Sequence, residues 1–234
     1  MSNANTFLSL YNKTDHFLKE QLNIDRNRSF SRMLDEASES STLVRRYRQT
    51  LKQFGQLRNA IVHEYRDGEI IAEPTENAVE EFQQIYQKLT RPERVLSVVG
   101  TSVVCLKKDE SIEQAINLMN KHDYSQIPVI DDSGFIGMFT SGMLLKTLGE
   151  HQRDVSTDFM LFRMDEVLKY NDRFRQVKFL ARTATVYDVL EIFEETALKD
   201  HQIDAILITE SGDSHQMPIG IITDSDLPEL LKYI

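Results

Sequence analysis

Cysteine is almost absent from this chain. The single thiol, Cys105, excludes an intrachain disulfide and fits a reducing compartment. Its flanks, Val103, Val104 and Leu106, are apolar, so a packing role is expected rather than a nucleophile. Long apolar runs are missing too: no stretch approaches the roughly 18 residues of a membrane span. The first 16 residues lack a basic region followed by an apolar core, so no secretory signal is expected. These absences predict a soluble, cytoplasmic protein with no membrane partner. Proline is scarce and uneven, with five in all and none before Pro74. Acidic residues vanish between Glu39 and Glu64, while Arg45, Arg46, Arg48, Lys52 and Arg58 all lie there.

What is present divides in two. The net charge of −10 argues against a nucleic-acid binder when taken whole. Residues 1–92, however, hold 13 basic and 13 acidic residues, and all the net acidity sits in 93–234. Residues 1–92 predict a helical bundle. Phe7, Leu10, Tyr11, Leu18 and Leu22 recur at near-helical spacing. A short helix is expected over Phe30–Ala37, and residues 38–42 (SESST) supply hydroxyls to cap a long helix from Thr42 to Glu64. After a turn at 66–69, Pro74 and Thr75 open another helix to about Leu89, and Pro92 marks a linker.

Beyond residue 94, short β-rich runs alternate with helical stretches. The first run, VVGTSVVCL, is expected as strand. A helix (111–122), a strand (IPVI), a DDSG turn, a strand (FIGMFT) and a helix from about Gly142 come next. The order then recurs: VKFLA, a helix, AILIT, a longer loop, IGIIT and a short last helix. His122 matches His201, Ile127 matches Ile206, and Gly137 matches Gly220. This predicts a duplicated β-α-β-β-α unit, residues 93–150 and 151–234, packed about a pseudo-twofold axis with clefts between the copies. The fold class is α+β.

Within each copy one spacing carries chemistry. Gly220, Thr223 and Asp226 put a hydroxyl and a carboxylate at the start of the last helix, where N–H groups suit phosphate and a carboxylate can accept ribose hydroxyls. The same Thr-x-x-Asp spacing also fits a capping box. In the first copy Gly137 and Thr140 are present, but Met143 stands in place of the acid, so one competent and one defective or differently used site are expected.

The paired motifs SQIPVIDDSGFIGMFTSGM and MPIGIITDSDL resemble the CBS (cystathionine β-synthase) domain over residues 93–234. The resemblance implies a Bateman-type regulatory pair that binds AMP, ADP, ATP or another adenosyl ligand such as S-adenosylmethionine. It implies that Thr101, Val104, Tyr124 and Ser125 complete the cleft of Thr223 and Asp226, with Ile221 beside the base.

A second constellation lies on the helix expected at 42–64. Its apolar stripe, Val44, Tyr47, Leu51, Phe54, Ile61 and Tyr65, is interrupted by Arg58, roughly 20° around the helix from Tyr65. An arginine there is costly unless paired or facing a wet groove. Arg58, Asn59, His63 and Tyr65 resemble the motif of the HEPN (higher eukaryotes and prokaryotes nucleotide-binding) superfamily. This implies a homodimeric helical domain and, in active members, a metal-independent endoribonuclease. His63 would move a proton, Arg58 would hold phosphate, Asn59 would orient either, and Tyr65 or a second protomer's His63 would supply the other proton. RNA would then meet the Arg45–Arg58 face. Alternatively Arg58 pairs with Glu64 and the region is a structural or partner-binding module. His16, His122, His151, His201 and His215 form no metal-ligand spacing, and no metal is expected.

Overall fold

A computed structural model describes the backbone of residues 2–24, 28–63, 65–66, 69–70, 72–151, 158–170, 175–198 and 202–233. The chain forms two compact units, Met1–Glu93 and Arg94–Ile234.

The first unit is built from α1 (Asn3–Gln21), α2 (Phe30–Ser40), α3 (Thr42–His63), a hairpin of β1 (Tyr65–Arg66) and β2 (Glu69–Ile70), and α4 (Glu76–Thr90). Hydroxyl caps start the helices where the sequence places them: Ser2, Ser29 and Thr75 accept from the backbone N–H groups of Asn5, Arg32 and Ala78. The core is aromatic at its centre. The Phe7, Phe54 and Phe82 rings lie 4.6–5.5 Å apart between centroids, with Leu18, Met33, Leu34, Leu51 and Ile61 buried around them. The expected stripes of α1 and α3 are therefore core faces. Tyr65, expected to continue the stripe of α3, instead pairs with Ile70 in the hairpin. The helix ends at His63, so the 20° relation to Arg58 does not apply.

The second unit repeats one plan. In the first copy β3 (Leu106–Lys107), α6 (Ile112–His122), β4 (Gln126–Asp131) and β5 (Gly134–Thr140) lead to α7 (Ser141–His151). In the second copy β6 (Arg175–Ala181), α9 (Val186–Leu198), β7 (Gln202–Thr209) and β8 (Gly220–Ile222) lead to a 3₁₀ turn (Asp224–Asp226), α10 (Leu227–Leu230) and a further 3₁₀ turn (Leu231–Tyr233). Both sheets have the same topology: a parallel pair, then an antiparallel hairpin, in the orders β3-β4-β5 and β6-β7-β8. Ile127 and Ile206, matched in sequence, are both fully buried. Ser111 and Thr185 cap α6 and α9 in the same reciprocal way, with Gln114 and Asp188 returning the bond. His201 lies outside the described residues.

Two short helices are exchanged between the copies. The run VVGTSVVCL is strand only at its last residue, Leu106 in β3: α5 (Val95–Val99) ends on its first two residues, and Gly100 at φ +83° closes that helix. The β-branched residues favour strand locally, but Val95 and Leu96 are buried in the second copy's core with Val189, Ile206 and Leu230, and that packing decides. Arg94 bridges to Thr185, and the Val95 N–H donates to Ala184. In the same way α8 (Met164–Val167), which lies beyond the boundary expected at 150/151, packs into the first copy's core with Leu106, Ile127 and Phe139. Arg163 bridges to Ser111, and the Met164 N–H donates to Glu110.

The exchange explains the matched glycines. A Cβ on Gly137 would lie 2.7 Å from Leu168, and one on Gly220 would lie 2.5 Å from Leu96. Between the copies Met138, Ala205 and Leu207 form a small core with Phe135 and Phe179 stacked edge-on. The hairpin turns also meet, with the Phe135 N–H donating to the Ser214 carbonyl.

Candidate functional site

The end of α6 and the end of β8 face one another across a cleft of about 400 Å³. Asp123 closes α6 in the left-handed conformation at φ 56°. That turn delivers Tyr124 and Ser125 to the cleft mouth just before β4 enters the sheet. Gln126 and Pro128 line the wall. Pro128 sits where β4 pairs only with β5, since β3 joins at Val129, so its missing N–H removes nothing from the β3–β4 ladder. Across the cleft stand Ile221 of β8, then Thr223, Ser225 and Asp226.

The cleft therefore brings together Val104, Tyr124, Ser125, Ile221, Thr223 and Asp226, six of the seven positions expected for an adenosyl ligand. Thr101 is the seventh. It is exposed and is not among the lining residues, whereas Gly100, Ser102 and Val104 are. After Gly100 the chain belongs to no helix or strand until β3, so no regular alternation sets which side chains meet the cleft. Sequence reasoning also missed Gly100, Ser102, His122, Asp123, Gln126 and Ser225. The signal for His122 was available: it stands two residues before Tyr124, across a helix end, and their rings stack 5.1 Å apart at 15°.

Thr223 and Asp226 do what a capping box does. Asp226 Oδ2 accepts from the Thr223 N–H at 2.8 Å and from its hydroxyl at 3.2 Å. The cap holds the Asp226 carboxylate at the cleft wall through its Oδ2. The expected helix is short, however. A three-residue 3₁₀ turn leads into four residues of α10, and Asp224 stands at its start beside Asp226. A dipole from so few residues attracts phosphate weakly.

The first copy treats the matching positions differently. Thr140 Oγ accepts from the Met143 N–H at 3.2 Å, and the Met143 side chain is buried in the core with Phe139 and Leu106. Position 143 therefore holds up the fold where position 226 faces a cleft.

Cys105 is half-buried, and burial pushes its thiol up to about 11. That keeps it protonated near neutrality, in line with packing. Among the described residues no group of three His, Cys, Asp or Glu side chains could hold a metal, and no helix is long and apolar enough to cross a membrane.

In the first unit Arg58 is half-buried, with its Nε enclosed and lacking a partner among the described residues. Its guanidinium lies 5.3 Å from the Tyr11 ring centroid, and Nη1 donates to Asn59 Oδ1 at 3.2 Å. Burial, with Asp15 adding to it, raises the Tyr11 hydroxyl above its ordinary value, against the opposing pull of Arg58. The side chains of His63 and Tyr65, and all of Glu64, lie outside the described residues. Along α3, Arg48 and Lys52 both reach Asp35 of α2, at 2.5 and 2.6 Å, and Arg45 Nε donates to the Ser38 carbonyl at 2.9 Å. The acid-free stretch is thus partly neutralised by its neighbour helix. The Lys52 and Arg48 hydrogen bonds hold Asp35 below the usual carboxylate range.

The duplicated sheet, the exchanged helices and the cleft between the copies define a module of two paired repeats. The CBS domain family model matches residues 95–150 and 174–233, so the second unit is a pair of CBS domains. Among solved structures, the CBS domain pair of protein MJ0100, in complex with 5′-methylthioadenosine and S-adenosyl-L-methionine, is similar at 17% identity and TM-score 0.44, over 60% of this chain and 97% of that one. The CBS-domain-containing protein ATU1752 from Agrobacterium tumefaciens is similar at 20% identity and TM-score 0.41, over 59% and 88%. The CBS domain of a CBS-domain-containing membrane protein from Sphaerobacter thermophilus is similar at 17% and 0.45, over 68% and 98%. No curated protein matches.

Proposed function

We propose that the CBS pair is a regulatory sensor of an adenosyl ligand, bound in the cleft between Tyr124 and Asp226, and coupled to a dimeric helical unit. The observation that carries this reading is that one cleft of about 400 Å³ gathers Val104, Tyr124, Ser125, Ile221, Thr223 and Asp226 from both repeats. Ile221 and Val104 offer an apolar bed for a base, and Tyr124 offers an aromatic face. Asp226, fixed by Thr223, presents an acceptor for ribose hydroxyls. A ligand that touches both repeats favours the arrangement in which both sets of contacts are made, and only that difference can be transmitted. The test is a melting-shift and calorimetry series on the full chain with AMP, ATP and S-adenosylmethionine. At least one is expected to raise the midpoint, and Asp226→Ala is expected to weaken its binding about tenfold or more. A shift that survives Asp226→Ala sinks the assignment.

Arg58 favours a second reading, in which the first unit is a HEPN-like ribonuclease gated by the sensor. An enclosed guanidinium nitrogen without a partner among the described residues, on a helix face that is otherwise core, suits a group reserved for a phosphate. Metal-free RNA cleavage by purified protein, lost in both Arg58→Ala and His63→Ala, is the expected outcome. Cleavage that persists in His63→Ala overturns this reading.

A further inference from the structure

We infer that the cleft selects adenosyl ligands whose 5′ substituent carries no phosphate, a thioether or a sulfonium rather than a di- or triphosphate. The inference rests on the adenosyl reading and concerns the charge of what the cleft accepts. Two carboxylates, Asp123 and Asp226, line it, and no lysine or arginine is among its described lining residues. The one lining side chain able to carry positive charge is His122, and a single imidazolium does not offset two carboxylates.

A polyphosphate brought into such a cleft must surrender water while meeting charges of its own sign, an arrangement that costs affinity rather than lending it. Backbone cannot rescue it at Thr223. The next turn is 3₁₀ and leads into only four helical residues, with Asp224 and Asp226 at its start. The other polar side chains of the lining, Ser102, Tyr124, Ser125, Gln126, Thr223 and Ser225, are neutral hydroxyls and one amide, suited to a ribose or an amino group. Tyr124 is 41% exposed and lines the cleft, with the His122 ring stacked against its own to form an aromatic surface. Such a face favours a thioether, and a sulfonium more strongly.

Asp123 gives a clean handle on this. Asn tolerates the left-handed conformation that Asp123 adopts, so Asp123→Asn removes one charge and leaves the turn intact. The experiment is calorimetric titration of the full chain with S-adenosylmethionine, 5′-methylthioadenosine, AMP and ATP, in wild type and Asp123→Asn. S-adenosylmethionine or methylthioadenosine is expected to bind at least about tenfold more tightly than ATP. In Asp123→Asn the preference over ATP should narrow about threefold or more. Weakened S-adenosylmethionine with unchanged methylthioadenosine marks the sulfonium as the feature read; a gain for ATP alone marks exclusion of phosphate. ATP binding as tightly as the phosphate-free ligands, or a preference that Asp123→Asn leaves unaltered, overturns the inference while the sensor reading stands. Binding of none of the four overturns both.

Discussion

The two CBS repeats share a scaffold and differ in chemistry. Each has a three-stranded sheet of one topology, a helix entered through a reciprocal cap, and a glycine pressed against a leucine from an exchanged segment. They part at the fourth position of the Thr-x-x-Asp spacing. In the second repeat Asp226 is tied to Thr223 and lines the cleft; in the first Met143 is tied to Thr140 by backbone alone and its side chain is core. The threonine thus serves the same local purpose in both copies, opening the helical turn after the last strand. The fourth residue decides whether that turn also lines the cleft. A duplicated fold can therefore keep its architecture while one matched position turns from a cleft-lining carboxylate into a core side chain.

The most severe way to break this comparison is to write the second repeat's motif into the first. Met143 is 4% exposed and surrounded by Ile127, Phe139 and Leu106. Met143→Asp buries a carboxylate without a partner, and we expect it to cost about 3 kcal/mol or more. Urea unfolding of the full chain checks this. A variant with unchanged stability that takes up a second equivalent of ligand shows that position 143 faces a cleft after all.

A smaller effect separates the two glycines. Gly220→Ala would press on Leu96, which is 9% exposed, and on Ile208 at 3.3 Å, so it is expected to destabilise by about 1–3 kcal/mol. Gly137→Ala would press only on Leu168, which is partly exposed and can swing aside, so about 1 kcal/mol or less is expected. Equal losses in thermal midpoint would mean that the exchanged segments are packed equally tightly.

The duplication made much of this legible from sequence, since the offset between Ile127 and Ile206 fixed both sheets at once. The helical bundle emerged from stripes and caps that needed no long-range information. Three features were not legible, each for a physical reason. The run from Val95 to Val99 has strand composition, yet its environment is the other repeat's core, which no local window contains. Residues 100–105 have no ladder and so no register, which is why sequence points to Thr101 where the lining residues are its neighbours Gly100 and Ser102. The packing of α8 depends on the same exchange, and its segment carries the composition of a connection. His63 and Tyr65, on which the first unit's chemistry turns, remain a sequence motif.

The least effect is expected where the two repeats should respond alike. Each hairpin carries an aspartate that accepts bonds from the residue two positions on. Asp131 Oδ1 takes the Ser133 hydroxyl at 2.6 Å and its N–H at 2.8 Å, and these bonds hold the carboxyl below its usual range, with Lys108 adding to them. Asp213 Oδ1 takes the His215 N–H at 2.9 Å, with the imidazole Nδ1 also at 2.9 Å, and is lowered by that backbone bond first and by the ring second. A carboxyl lowered on folding binds fewer protons in the native state than in the unfolded one. Its contribution is therefore present above the unfolded value of about 3.9 and is lost as pH falls through the lowered native value. Asp131→Asn and Asp213→Asn should each flatten the fall of the thermal midpoint between about pH 5 and pH 2, with little change at pH 7, because both turns are exposed and asparagine still accepts. The two variants should act in the same direction. If Asp131→Asn flattens the acid limb and Asp213→Asn leaves it as steep as wild type, the longer second turn does not reproduce the first, and the likeness of the repeats ends at the strands.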